Sequence, residues 1–121
     1  MAEKSGREPQ YIPDRGDIVW ISLTPQAGYE QSGRRPALVL TPRSYNIRSR
    51  LALMCPITSR IKGYPFEVQL PNGIGVTGVV LADQVRSLDW YERQVVFIGR
   101  MEKRQLEETL ELLGLLLKGE G

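Results

Sequence analysis

The sequence predicts a small antiparallel β-barrel or sandwich that carries one helix at its carboxyl end. Six short runs rich in valine, isoleucine and leucine are separated by glycine, proline and asparagine, the spacing expected of strands and turns. The last part of the chain instead repeats leucine every three or four residues, which is the period of a helix. The 121 residues can build one hydrophobic core but not two. We therefore expect a mainly β (α+β) domain over residues 11–121, preceded by a flexible tail over residues 1–10.

The six predicted strands cover residues 17–23, 36–42, 51–58, 66–70, 79–83 and 94–99. The connections between them are marked by residues that break regular structure, as at residues 42–46 and 62–65. Pro71, Asn72 and Gly73, followed by Gly75, predict a turn between two paired strands.

The helix is predicted over residues 102–118, with Lys118 and Gly119 as its stop. Four leucines fall on one helical face: Leu106, Leu110, Leu113 and Leu117. Three more, Leu112, Leu115 and Leu116, widen the apolar arc to roughly 220°, about twice what one barrel face covers. We expect the excess to pack against a second copy of the chain in a homodimer.

The composition excludes several kinds of chemistry. The chain has no histidine, so imidazole acid–base catalysis, histidine–metal sites and Ser-His-Asp or Cys-His nucleophiles are absent. The glycines match neither nucleotide-binding loop pattern, and we expect neither a metal nor another cofactor. The single cysteine, Cys55, is predicted to be a small core side chain. No run is apolar enough for a membrane span or a signal peptide, which predicts a cytoplasmic protein.

Positive charge is concentrated in residues 34–62, which hold seven basic and no acidic residues, whereas residues 63–121 hold six basic and nine acidic residues. Such a patch suits a polyanion such as a phosphate backbone, although a solvated basic surface would give the same pattern.

Arg34 and Arg35 directly precede Pro36 at the start of a predicted strand. A guanidinium binds phosphate through two hydrogen bonds, and a proline holds the residue before it in extended geometry. Thr58 ends the next predicted strand, and two strands ending at one rim would bring Arg35 and Thr58 together. The alternatives are a solvated arginine pair and a threonine that forms a turn at a strand end.

Several stretches, in this order, resemble the MazF/PemK family of toxin endoribonucleases, and the MazF branch more than the PemK/Kid branch. They are YIPDRGDIVWISLTPQAGYEQSGRRPALVLTP, CPITS, KGYPFEV and VVLADQVRSLDW. The resemblance spans residues 11–117 and implies an SH3-like barrel with a C-terminal helix, the CcdB/PemK-type toxin fold. It also implies a type II toxin that acts as a homodimer, binds single-stranded RNA across its interface, is inhibited by a MazE-like antitoxin, and cleaves messenger RNA at short sequences without a metal, arresting translation and growth.

The same resemblance implies roles for individual residues. Arg35 and Thr58 match the catalytic arginine and threonine of the family. The implied RNA-binding residues are Glu30, Gln31, Ser59, Tyr64, Asp83 and Gln84. The PemK branch has a catalytic arginine two residues before the aspartate, where this chain has Leu81, so Asp83 is assigned to substrate contact. A pair of turn residues in a hairpin is the structural alternative for Asp83 and Gln84.

With neither histidine nor a metal site, we expect the 2′-hydroxyl of the RNA to attack the adjacent phosphorus, leaving a 2′,3′-cyclic phosphate or its opened 3′-phosphate and a 5′-hydroxyl. A guanidinium is a poor base at neutral pH, so Arg35 is expected to stabilise charge on the phosphoryl oxygens, with Thr58 donating a hydrogen bond. Two other functions compete: a CcdB-like toxin that binds gyrase without catalysis, and a simple nucleic-acid-binding barrel. The helix lacks the terminal tryptophan of CcdB-type toxins.

Overall fold

The computed structural model describes residues 11–22 and 33–119, so the predicted tail over residues 1–10 lies outside the described residues. These residues form β1 (Asp17–Ser22), β2 (Arg34–Val39), α1 (Arg43–Ser49), β3 (Leu51–Thr58), β4 (Glu67–Gln69), β5 (Val79–Leu81), a 3-10 helix (Ala82–Gln84), β6 (Arg86–Asp89), β7 (Val96–Arg100) and α2 (Lys103–Lys118). The predicted fold class is confirmed: a mainly antiparallel sheet followed by a C-terminal helix.

β3 is the strand around which the sheet bends. The sheet runs in the order β4-β5-β3-β2-β1-β7, with β6 also paired to β3. The first half of β3 pairs with β6 and its middle with β2, whereas Ile57 and Thr58 pair with β5. At the far side, a Cβ on Gly99 of β7 would lie 2.9 Å from the carbonyl oxygen of Ile74 in the β4–β5 connection. The two ends of the sheet therefore approach each other closely.

Side chains alternate between the two faces of the sheet, and each face has its own core cluster. One cluster packs against α2 and is built from Ile18, Leu38, Leu40, Cys55, Ile57, Val68, Leu70, Val80 and Met101. The other consists of Val19, Ile21, Ala37, Val39, Ala52, Met54, Leu88 and Trp90, with Tyr11 and Ile12 packed against it. Cys55 is fully buried in the first cluster, as a small core side chain should be.

α1 lies where the sequence predicted an irregular connection. Its seven residues show no apolar period, and Ile47 is exposed. The buried Asn46 holds it instead: the side-chain amide donates to the carbonyl oxygens of Pro13 (2.8 Å) and Thr41 (2.9 Å), and the backbone carbonyl accepts from the Trp90 indole (2.9 Å). Hydrogen bonds of this kind leave no periodic pattern in the sequence.

The predicted strands need four corrections. β2 begins at Arg34 and ends at Val39, so the adjacent arginines lie inside the strand and not before it. The strand predicted over 79–83 ends at Leu81, and residues 82–84 form a 3-10 helix. β7 covers Val96–Arg100 in place of 94–99. β6 was missed, because three of its four residues are polar. The other strands and the β4–β5 turn agree with prediction.

α2 agrees with the predicted helix and ends where the Gly119 N–H donates to the Leu115 carbonyl. Leu106, Leu110, Leu112 and Leu113 pack against the first core cluster. Leu115, Leu116 and Leu117 remain 65%, 51% and 76% exposed, so the last turn extends beyond the core of this chain. Within the described residues, no helix is long and apolar enough to cross a membrane.

Candidate active site

A cleft of about 590 Å³ lies over the face of the sheet opposite α2. It is lined by Ile21, Arg35, Pro36, Ala37, Met54, Pro56, Ile57, Thr58, Ser59, Arg60, Gln84, Arg86 and Leu88. Ile21, Ala37, Met54 and Leu88 belong to the second core cluster and form an apolar floor. Among residues 11–22 and 33–119, those that line this cleft include three arginines and no acidic residue. We call Arg35, Arg60 and Arg86 the cleft arginines.

The alternation of β2 separates the two adjacent arginines. Arg35 pairs with Ile21 and shares its face with Ala37, so it lines the cleft. Arg34 points the other way, and its guanidinium lies 5.4 Å from the ring centre of Trp20. Of the two adjacent arginines considered for phosphate binding, only Arg35 lines the cleft. Arg34 stacks on an aromatic ring.

Pro36 lies within β2 and does not open it. It pairs with Trp20 of β1, while the pairing of β2 with β3 begins only at Ala37. Proline has no N–H to donate, and it fits this position because one side of β2 has no ladder partner here.

Thr58 ends β3 on the wall of the cleft, half-buried. Its hydroxyl oxygen accepts a hydrogen bond from the backbone N–H of Arg60 (3.1 Å). A hydroxyl can accept and donate at once, so Thr58 is fixed in orientation and keeps a proton to donate towards a ligand.

Gly78, the residue directly before β5, lies against the end of β3 that carries Thr58. A Cβ at this position would lie 2.1 Å from the Thr58 carbonyl oxygen, and the backbone φ of +125° disfavours any side chain. The Gly78 carbonyl accepts from the Leu70 N–H (3.0 Å), which closes the β4–β5 hairpin. Only glycine lets the two strands approach this closely, so Gly78 sets the position of the strand end that carries Thr58.

A smaller cavity of about 160 Å³ adjoins the cleft, and both are lined by Thr58, Arg60 and Gln84. Tyr64 and Phe66 lie in this side cavity with ring centres 5.3 Å apart. The carboxylate of Glu67 accepts from the backbone N–H groups of Lys62 and Gly63 (2.9–3.3 Å). The Tyr64 ring is exposed, and an exposed aromatic ring beside cations is a surface on which an unstacked base can stack.

The structure brings together most of the residues selected from the sequence. Arg35, Thr58, Ser59 and Gln84 line the cleft, and Tyr64 lines the side cavity. Asp83 lines neither; it is exposed in the 3-10 helix that connects β5 to β6, so it does not form a hairpin turn with Gln84. Glu30 and Gln31 lie outside the described residues.

Sequence reasoning did not select two of the cleft arginines. Arg86 was missed together with β6, although it shares a face with the buried Leu88 two residues later. Arg60 was counted in the basic stretch without a role. The combination of a basic stretch and strand ends could have pointed to Arg60, whereas Arg86 required the strand itself.

The thiol of Cys55, on the strand that carries Thr58, does not supply a nucleophile. Burial raises the pKa of the Cys55 thiol to about 12, and the negative charge of Asp83 acts in the same direction. The thiol is therefore neutral and enclosed in the core. Within residues 11–22 and 33–119, no group of three or more acidic, cysteine or histidine side chains is placed to hold a metal ion.

Comparison with known proteins identifies the chain. Residues 14–117 match the family described as PemK-like, MazF-like toxin of type II toxin–antitoxin system. Endoribonuclease toxin MazF of Escherichia coli K12 is 44% identical over 108 residues, covering 89% of this chain and 96% of that protein. The crystal structure of MazF (Form-I) from Deinococcus radiodurans is 54% identical, with a TM-score of 0.81, covering 91% of this chain and all of that one.

The crystal structure of MazE-MazF (Form-II) from Deinococcus radiodurans, a toxin–antitoxin complex, is 47% identical with a TM-score of 0.81 and covers 92% of this chain and all of that one. These matches span nearly the whole domain, including the cleft and α2. The chain therefore belongs to the family of PemK-like, MazF-like toxins of type II toxin–antitoxin systems.

Proposed function

We propose that this MazF-like endoribonuclease toxin cleaves single-stranded RNA in the cleft by attack of the RNA's own 2′-hydroxyl. One observation carries the proposal: Arg35 and Thr58 line one cleft, and none of the described residues that line it is acidic. The described lining therefore carries positive charge, which attracts the negatively charged phosphodiester.

The proposed reaction forms a bond between the 2′-oxygen and phosphorus and breaks the bond from phosphorus to the 5′-oxygen. The 2′-hydroxyl loses a proton and the leaving 5′-oxygen gains one, giving a 2′,3′-cyclic phosphate and a 5′-hydroxyl. Charge accumulates on the phosphoryl oxygens in the transition state, where a fixed guanidinium and a fixed hydroxyl stabilise it most. Arg35 supplies the first group. Thr58 supplies the second, its hydroxyl being oriented by the Arg60 N–H.

Substrate recognition is proposed to use the side cavity and its neighbours. Tyr64 offers a ring for base stacking, while the Gln84 amide lies between the two cavities and can bond to a base edge. Ser59 adds a hydroxyl beside Thr58. Glu30, Gln31 and Asp83 remain predictions of substrate contact, based on the family resemblance alone.

Cleavage without a metal is proposed because the chain has no histidine, and because the described residues that line the cleft include no carboxylate. Hard cations bind oxygen ligands, above all carboxylates. A guanidinium can supply the positive charge that a metal supplies in other nucleases.

Two partners are proposed. The first is a second copy of this chain, because three leucines at the end of α2 stay exposed. Light scattering at micromolar concentration should give the mass of a dimer, and the mass of a monomer would contradict the proposal. The second is a MazE-like antitoxin, because related toxins have been crystallised with MazE. An acidic antitoxin segment would cover the cleft arginines and compete with RNA.

Incubating the purified protein with a long synthetic RNA, with no gyrase present, tests the activity. Sequencing the new 5′ ends should show cuts at one short sequence. Intact RNA combined with inhibition of purified gyrase would favour the CcdB-like alternative. Binding of RNA without any cuts would favour a simple nucleic-acid-binding barrel.

A further inference from the structure

We propose that Arg60 and Arg86 bind the phosphates on either side of the one that is cleaved, so that the cleft engages three successive phosphates. This inference rests on the proposed function, because it takes the phosphate between Arg35 and Thr58 as the reacting one. It concerns substrate binding by two residues that the sequence did not select for any role at the site.

The two arginines flank Thr58 along β3. Arg86 of β6 pairs with Met54, four residues before Thr58, a separation of about 13 Å along the strand. Arg60 follows Thr58 by two residues, and its backbone N–H is bonded to the Thr58 hydroxyl. Both side chains line the cleft that contains Arg35. A strand of RNA placed across Thr58 would therefore meet one arginine on each side.

Both side chains are available to a ligand. Arg60 and Arg86 are exposed, and the ion pairs found among residues 11–22 and 33–119 involve neither of them. The one carboxylate that lines the side cavity, that of Glu67, already accepts from two backbone N–H groups. Nothing in the described walls thus competes with a phosphate for these guanidinium groups.

The surroundings make these positions more effective than isolated surface arginines. The apolar floor contains Met54 and Leu88, which are 1% and 7% exposed. A charge beside such a floor is screened less by water, so its attraction for a phosphate is stronger. Arginine also offers a planar pair of donors that matches two phosphate oxygens.

The number of phosphates that the protein contacts can be measured from the salt dependence of its affinity for RNA. For a single strand, the slope of log K against log salt is about −0.7 for each phosphate that a protein neutralises. Removing one contact should make the slope less negative by about 0.7. It should also weaken binding to the same extent for all RNA sequences. A residue with only a structural role would not change this slope.

The test measures binding of a fluorescent RNA with one 2′-deoxy nucleotide at the cut, from about 50 to about 200 mM NaCl. Arg60→Gln and Arg86→Gln should each make the slope less negative by about 0.7, and the double variant by about 1.4. Arg60→Lys and Arg86→Lys should keep the slope, because they keep the charge. Arg104→Gln, on the exposed side of α2 away from the cleft, is the matched control and should change nothing.

The inference would be overturned if the slope stayed unchanged in both glutamine variants. It would also be overturned if the slope became less negative by the same amount in Arg104→Gln. Its failure is distinguishable from failure of the proposed function. An unmodified RNA that is cleaved by variants with unchanged slopes contradicts only the phosphate contacts. An RNA that is bound with the expected slopes but never cleaved contradicts only the proposed reaction.

Discussion

The two ends of β1 use arginine in different ways. At the end near Asp17, arginines are paired with carboxylates: Arg100 binds Asp17, and Arg43 lies 4.0 Å from Asp14. At the other end lies the cleft, where none of the cleft arginines has an ion pair among the described residues. The first group belongs to the fold, whereas the second is free to act on a ligand. A count of charges along the sequence does not distinguish the two.

The largest difference is expected from Arg35→Ala. Removing this guanidinium should lower the rate of RNA cleavage by about 10² to 10³, by analogy with the loss of one oxyanion donor. Thermal stability should barely change, because the side chain is exposed. Arg35→Lys should recover little, since a point charge lacks the two parallel donors. Single-turnover rates on one RNA oligonucleotide provide the measurement.

Arg34→Ala is the matched control for this comparison. It removes the neighbouring arginine, which stacks on Trp20 and does not line the cleft. The rate should stay close to that of the parent protein, and the stability should fall by about 0.5–1 kcal/mol. Equal losses of rate in both variants would show that net charge, and not the placement of Arg35, drives the reaction.

Gly78→Ala tests the backbone that supports the cleft. The new Cβ would meet the Thr58 carbonyl oxygen at 2.1 Å, in a backbone conformation unsuited to a side chain. We expect a loss of about 3 kcal/mol in the free energy of unfolding, together with a loss of rate, because the strand end that carries Thr58 must move. Urea denaturation measures the first quantity, and a variant as stable as the parent would contradict the account.

Asp17→Asn should lower the stability of the protein and leave the cleavage rate unchanged, whereas Arg35→Ala should lower the rate and leave the stability nearly unchanged. Asp17 is 2% exposed, and its carboxylate accepts from the Tyr11 hydroxyl, the Asp14 N–H and the Arg100 guanidinium. Loss of the charge should cost about 2 kcal/mol of stability. The cleavage rate of the folded protein should be unaffected, because the cleft begins about 13 Å further along β1.

A smaller effect on stability than that of Asp17→Asn is expected at Tyr11, and its pH dependence has a defined sign. Burial, followed by the hydrogen bond to Asp17, raises the pKa of the Tyr11 hydroxyl above its ordinary value. The folded protein therefore holds this proton more tightly than the unfolded chain. The resulting stability is complete below the ordinary pKa of about 10 and is lost as the pH rises above it.

Tyr11→Phe should consequently cost about 1 kcal/mol at neutral pH, the worth of one hydrogen bond. The difference in unfolding free energy between parent and variant should shrink above pH 10 or so, since only the parent loses this contribution. Urea titrations at a series of alkaline pH values measure the trend. A difference that stays constant across that range would show that Tyr11 is not protonated more tightly in the folded state.

Periodic features of this chain were predictable and non-periodic ones were not. β3 and α2 carry clear apolar patterns over eight and sixteen residues, and both were found at nearly their observed bounds. α1 depends on the hydrogen bonds of the buried Asn46, and β6 has a single buried apolar side chain, Leu88. Neither produces a periodic signal.

At the site, residues in short local motifs were predictable, and residues placed by long-range strand pairing were not. Arg35 and Thr58 were identified because short motifs resemble a known family, and the structure places both on one cleft. Arg34 faces away from the cleft because successive side chains of a strand point to opposite faces, and this follows only once β2 is known to start at Arg34. Arg86 depends on a strand pairing across β3. Long-range pairing of this kind is not encoded in any local stretch of sequence.

The central claim is that the RNA supplies its own nucleophile while the protein supplies fixed positive charge. The most direct test uses two oligonucleotides that differ by one 2′-deoxy substitution immediately 5′ of the cut, each incubated with the protein in excess EDTA. We predict that the all-ribose strand is cleaved to a 5′-hydroxyl product at the same rate with and without the chelator, and that the substituted strand stays intact. Cleavage of the substituted strand, or loss of all cleavage in EDTA, would contradict the account.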